Sequence, residues 1–174
     1  MRIFFSIFAV AFFFYGNASY AADGFGRIRC GSDIPKAVIG QTMPNDRVVA
    51  IEARHEVLSL KDLGALEISG SLTLISWNIC GNEYALLEKK NVIRDVLPLP
   101  RHSKDWPEFI GSCQIKATES SDSIIAILKN EKGAERLTAT AAWKIDAKRA
   151  KFVMLRTEGL SCPRNGLITA DGGL

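Results

Sequence analysis

Apolar and polar residues alternate with a period of two along most of the chain after residue 21, the pattern of half-buried strands. Ser71–Ile79 places Thr73, Ile75, Trp77 and Ile79 on one face and Leu72, Leu74, Ser76 and Asn78 on the other. Gly81-Asn82 is a turn signal, Glu83–Lys89 reads as the next strand, and Lys89-Lys90-Asn91 can turn into Val92–Leu97. These three segments predict a meander, ended by Pro98 and Pro100, which cannot donate to a ladder. Arg47–Val57 is a further candidate strand, and Ser123–Leu128 is a continuous apolar run suited to a central strand. Its hairpin partner follows Asn130–Gly133, with Leu137, Ala139, Ala141, Trp143 and Ile145 on one buried face. Lys151–Arg156 continues the pattern, while the Gly-rich tail from Gly159 reads as irregular.

Helix signals are few. Ile34–Ile39 can begin behind the Ser32-Asp33 cap with Pro35 in its first turn, and Ser59–Leu66 can form a short turn of helix weakened by Gly64. The expected fold is mainly β: an antiparallel β-sandwich or small barrel with one or two short helices, stabilised by disulfides.

The first 21 residues follow a different rule. Arg2 precedes an apolar run from Ile3 to Tyr15, and small residues lead to Ser19 and Ala21. That order is the one a secretory signal peptide uses, with cleavage after Ala21. A permanent anchor needs ~20 apolar residues, more than this run supplies. The expected organisation is a signal peptide over 1–21 and a single exported domain over 22–174, periplasmic or secreted, without a transmembrane segment after cleavage. Residues 22–174 carry 21 Lys and Arg against 19 Asp and Glu. That balance disfavours a dedicated nucleic-acid binder.

Export gives the four cysteines, Cys30, Cys80, Cys113 and Cys162, an oxidising compartment in which two disulfides are the default. Three pairings are open. Cys30–Cys162 with Cys80–Cys113 is favoured because the first bond would tie the ends of the domain together, the two loops contributing ~5 and ~4 kcal/mol in the chain-entropy model. The cysteines lack the close spacing of zinc knuckles, and only His55 and His102 could assist, so no metal and no cofactor is expected. His55, between Arg54 and Glu56, reads as a hydrogen-bonded or solvated side chain.

The loop Pro98–Pro107 gathers the most chemistry, with Arg101, His102, Ser103, Asp105 and Trp106. A nucleophilic site would use Ser103 with His102 as base and Asp105 or Asp95 as orienter, but adjacent residues of an extended loop point apart and no Gly-x-Ser-x-Gly elbow is present. Arg101, His102 and Trp106 form a better binding surface, since Arg and Trp are enriched at interface hot spots and the prolines limit the loop before contact. Trp106 folded back onto the sheet is the plain alternative. Carboxylate pairs such as Glu83 with Glu88, or Asp95 with Glu108, carry little weight among 19 acidic residues. Lys144, Lys148, Arg149 and Lys151 read as a solvated hairpin tip, and Asp171-Gly172-Gly173 lacks calcium-loop spacing.

Ile79–Tyr84, Val92–Pro98, Ala142–Asp146 and Gly159–Arg164 resemble segments of exported bacterial proteins of uncharacterised function. That resemblance implies an envelope location and no site residue. In size, disulfide use and β content the domain is also similar to periplasmic lysozyme inhibitors, without an inhibitory loop motif of theirs. The expected function is a non-enzymatic module binding a protein or cell-envelope component. The alternatives are a hydrolase in which His102 meets Asp95, Asp105 or Glu108 inside a concave pocket, and a structural or stress-related envelope protein.

Overall fold

The computed structural model describes residues 24–43, 46–120, 123–165 and 167–168. The signal-peptide expectation for 1–21 and the Asp171-Gly172-Gly173 turn lie outside them. As the alternation predicts, the architecture is mainly β: two antiparallel sheets in a sandwich-like arrangement with two short helices. Among the described residues no helix is long and apolar enough to cross a membrane.

The first sheet comprises β1 (Lys61–Ser69), β2 (Leu72–Ile79), β3 (Asn82–Lys89) and β4 (Val92–Pro98) in sequential order. Its last two turns are two-residue hairpins in which both central residues have positive φ: Cys80 and Gly81, then Lys90 and Asn91. Turns with this backbone twist match the right-handed twist of the strands they join. β1 is an edge strand, exposed along most of its length, with register shifts between Asp62 and Gly64 and between Glu67 and Ser69. The segment expected as a turn of helix at Ser59–Leu66 therefore runs mostly as strand, and Gly64 at φ +121° takes the irregularity.

The second sheet contains β5 (Glu108–Gly111), β6 (Gln114–Ile115), β7 (Thr118–Glu119), β8 (Ile124–Leu128), β9 (Arg136–Asp146), β10 (Lys151–Met154), β11 (Leu160–Pro163) and β12 (Leu167–Ile168). Its order is β12-β5-β8-β9-β11-β6-β7, with β10 also on β9. β8 is buried throughout, as an apolar run predicts. The tail is more regular than its glycines suggest, because β11 pairs with both β9 and β6.

Leu72, Leu74, Ala85, Leu87, Leu97 and Leu99 of the first sheet and its exit meet Ile125 and Ile145 of the second, forming the core between the sheets. On the outer side of the first sheet, Ile75, Trp77, Ile79, Leu86 and Ile93 pack under Phe25, Ile28, α1 (Ile34–Val38), α2 (Val48–Arg54) and a 3-10 turn (Glu56–Leu58). Each fully buried side chain of this size contributes ~1.5–3 kcal/mol. Asp33 caps α1 by accepting from the Lys36 N–H at 3.1 Å, as its sequence predicts. Arg47–Val57 is helical, not a strand: Ile51 and the following Leu58 turn inward, whereas Val49 and Val57 are exposed.

Two bulges reassign faces that strict alternation would keep together. At Arg94 in β4, Ile93 and Val96 join the outer core while Leu97 faces the other sheet. At Thr140 in β9, Leu137, Ala139 and Ala142 share one cluster, and Trp143 and Ile145 belong to the inter-sheet core. The expected single face through Ala141, Trp143 and Ile145 is thus split, and the Thr140 hydroxyl donates to the Ile127 carbonyl at 2.9 Å.

The disulfides are Cys30–Cys80 and Cys113–Cys162, correcting the expected Cys30–Cys162 and Cys80–Cys113 pairs. The meander supplies the reason. Cys80 lies in the β2–β3 turn, where its N–H bonds the Leu58 carbonyl at 2.6 Å and the segment before β1 packs against it. Cys113 follows β5 and Cys162 lies on β11, both fully buried in the second sheet's own cluster. Each bond therefore closes one part of the fold, and the ends of the domain are not tied to each other.

Candidate functional site

The segment from Leu99 to Pro107 carries the chain from the first sheet to the second. Its start is fixed by the Leu99 N–H donating to the Glu83 carbonyl at 2.9 Å. Ser103 and Trp106 exchange backbone hydrogen bonds of 2.9 and 3.1 Å, closing a tight loop. Asn130 holds the far side, its side-chain amide donating to the Lys104 carbonyl at 2.7 Å and its backbone N–H to Asp105 at 2.9 Å. Leu128 N–H then bonds the Pro107 carbonyl at 2.9 Å. Within this frame Arg101 is exposed, and Trp106 keeps 44% of its surface in solvent.

His102 turns the opposite way. Its side chain is only 6% exposed, and Nε2 lies 3.5 Å from Oε2 of Glu83, whose side chain is 18% exposed. Glu83 shares its face of β3 with Ala85 and Leu87, which pack between the sheets. Glu108 opens β5 and lies two residues before Ile110, which packs against the same inter-sheet core. Two carboxyl groups on the facing surfaces of opposite sheets thus meet at one end of the sandwich, with His102 supplied by the crossover between them. One ligand-capable atom from each of Glu83, His102 and Glu108 lies within 4.8 Å of the other two.

Burial sets the protonation of this group. Glu108 is 1% exposed, and removal from water, the neighbouring Glu83 charge and a hydrogen bond to Glu83 together push its carboxyl up to about 8. Glu83 is also raised by burial, an effect opposed by the His102 charge and by the hydrogen bond from Glu108. Of the two carboxyl groups, Glu108 is the one whose protonated form burial favours more strongly. Among the described residues, Oε1 of Glu108 has no hydrogen-bond partner. A cleft of about 180 Å³ opens beside the group, bordered by Asn78, Asn82, Glu83, Pro100, Arg101 and His102.

Of the residues singled out in the loop, His102 joins this cluster, and Arg101 lines the cleft, while Trp106 lies outside its walls. Ser103 Oγ accepts from the Trp106 N–H at 3.3 Å, so the Ser103–His102–Asp105 arrangement does not form. Asp95 accepts from the Phe152 N–H at 2.8 Å and from Lys151 Nζ at 3.0 Å, tying β4 to β10. Glu88 is engaged at the β3–β4 turn by the Asn91 N–H. The assembled carboxylate pair is Glu83 with Glu108, a combination neither expected pairing contained. Its trace in the sequence is a charge at one end of each strand face, Glu83 ahead of Ala85 and Leu87 and Glu108 ahead of Ile110. His55 packs its ring against Phe25 at 5.9 Å, and Lys151 and Arg149 at the basic hairpin face Asp95 and Asp146.

No family model matches the chain, and neither a curated protein nor a solved structure shows significant similarity to it.

Proposed function

We propose that this is an exported, non-enzymatic binding protein whose contact surface is the Leu99–Pro107 loop, with Arg101 and Trp106 as anchors for a protein partner of the cell envelope. The observation that carries the reading is a loop fastened at both ends and across its middle that still holds a large aromatic ring in solvent. Ordering such a loop on contact costs little, since its backbone is already set. Export is supported by the signal-like first 21 residues and by two disulfides, which persist in oxidising compartments.

Hydrolysis at His102 ranks second. A buried His beside a carboxylate at a cleft favours it, but Glu108, whose carboxyl is pushed up to about 8 and could serve as the acid, does not border that cleft.

The binding reading is tested by retention of envelope proteins on the immobilised protein and on its Arg101→Ala/Trp106→Ala variant. Both side chains are exposed, so the variant should melt like the wild type while losing the captured partner. Equal retention by both would overturn the loop assignment, and capture of polysaccharide alone would overturn the class of partner.

A further inference from the structure

We propose that Glu83, His102 and Glu108 form a binding site for a divalent first-row transition-metal ion, zinc by the chemistry of its donors, with an open coordination position toward the Arg101 cleft. This site goes beyond the proposed binding loop and needs no macromolecular partner.

Geometry is the first argument. A tetrahedral ion with bonds of ~2.0–2.1 Å places its ligand atoms about 3.3 Å apart. The His102 Nε2 to Glu83 Oε2 distance is 3.5 Å, and the three ligand atoms lie within 4.8 Å of one another, so a small side-chain adjustment of Glu108 completes three corners.

The second argument comes from Glu108. Its side chain is buried, it is brought against another carboxyl group, and among the described residues Oε1 finds no hydrogen-bond donor. An isolated buried acceptor is destabilising, and a hydrophobic residue would fill that place without such a cost. A doubly charged cation would satisfy the orphan oxygen and balance both carboxylates. The donors are one imidazole nitrogen and two carboxylate oxygens, with no thiolate. Imidazole favours zinc and its neighbours over magnesium and calcium, which prefer oxygen alone.

The framework is stiff enough to hold such a site. β3 is paired on both sides, β5 is paired with β8 and β12, and the loop carrying His102 is hydrogen-bonded along its length. The fourth position faces a cleft with room for water or a small ligand, the arrangement of an open three-ligand site.

The test uses untagged protein exported to an oxidising compartment, stripped with EDTA, desalted and titrated with zinc chloride by calorimetry. One equivalent should bind saturably. At a hundredfold excess over Kd, zinc should raise the melting temperature by about 5–10 °C. Glu108→Gln keeps the size of the side chain and its ability to donate to Glu83, so it should fold normally while weakening zinc by roughly a hundredfold or more, beyond what loss of an outer partner costs. His102→Gln is the second variant, should Glu108→Gln fail to fold, and the same weakening is expected. Absence of saturable binding to the wild type, or equal binding by wild type and a folded variant, would overturn the site. Displacement of bound zinc by excess magnesium would overturn the choice of ion.

Discussion

The four-stranded sheet is a run of consecutive hairpins, whereas the eight-stranded sheet weaves strands from distant parts of the sequence into the order β12-β5-β8-β9-β11-β6-β7. The first sheet needs only local pairings, and its outer face is then covered by the segment that precedes it. The second depends on long-range pairings that pay loop-closure entropy before they return any contact. The two disulfides follow this division. Cys30–Cys80 fastens the covering segment to a hairpin turn at the surface, and Cys113–Cys162 lies fully buried where β11 must be held in register. Their sequence separations, 50 and 49 residues, are nearly equal, so loop entropy alone would make them equivalent at ~4 kcal/mol each.

That equivalence allows the sharpest experiment. Cys113→Ala/Cys162→Ala should cost the entropic ~4 kcal/mol plus roughly 2 kcal/mol for the cavity left in a packed cluster. Cys30→Ala/Cys80→Ala should cost the entropic part alone. Equal losses in denaturant unfolding would show that the buried bond gains nothing from its surroundings and would remove the contrast.

A second measurement probes the end of the sandwich where Glu83 and Glu108 meet. The folded pKa of Glu108, about 8, lies above its ordinary value of 4.5, so the folded state holds a proton that the unfolded chain releases. This contribution is fully present below about pH 4.5 and is lost as pH rises through 8. Metal-free protein should therefore lose stability on the order of 5 kcal/mol across that window, and Glu108→Gln should flatten the slope. A wild-type profile without that slope would mean Glu108 is ionised in the native protein.

The smallest of the three effects concerns the contact at Asp95. Asp95→Ala strips acceptors from the Phe152 N–H and Lys151 Nζ and should cost ~1–3 kcal/mol. Amide exchange at Phe152 should accelerate, and unchanged exchange would show that the sheets are joined there by packing alone.

The same division decides what could be read from the residues. Strands β2, β3 and β4 and the helix behind Asp33 announce themselves because alternation, turns and caps act over a few positions. Arg47–Val57 misleads because a seven-residue helix burying Ile51 is too short to display its period. The bulges at Arg94 and Thr140 leave no local mark, yet each reverses the face of every later residue in its strand. Pairing of Cys30 with Cys80 depends on what covers the first sheet. The meeting of Glu83 with Glu108 depends on how two sheets align at one end. His102 was legible as a candidate because its loop concentrates polar side chains, but its partners come from strands that only the tertiary fold brings together.

Strand β1 offers one side to β2 and leaves the other open, nine residues long. Such an open flank is what a neighbouring copy would use to extend a ribbon from molecule to molecule. Here the Asp62 N–H is taken by Glu52 and the Gly64 N–H by Asp62, and irregular register interrupts the strand near both ends. With the donors at its first end occupied and its line broken near both ends, the flank is a poorer template than a regular edge, a partial guard against polymerising at high concentration.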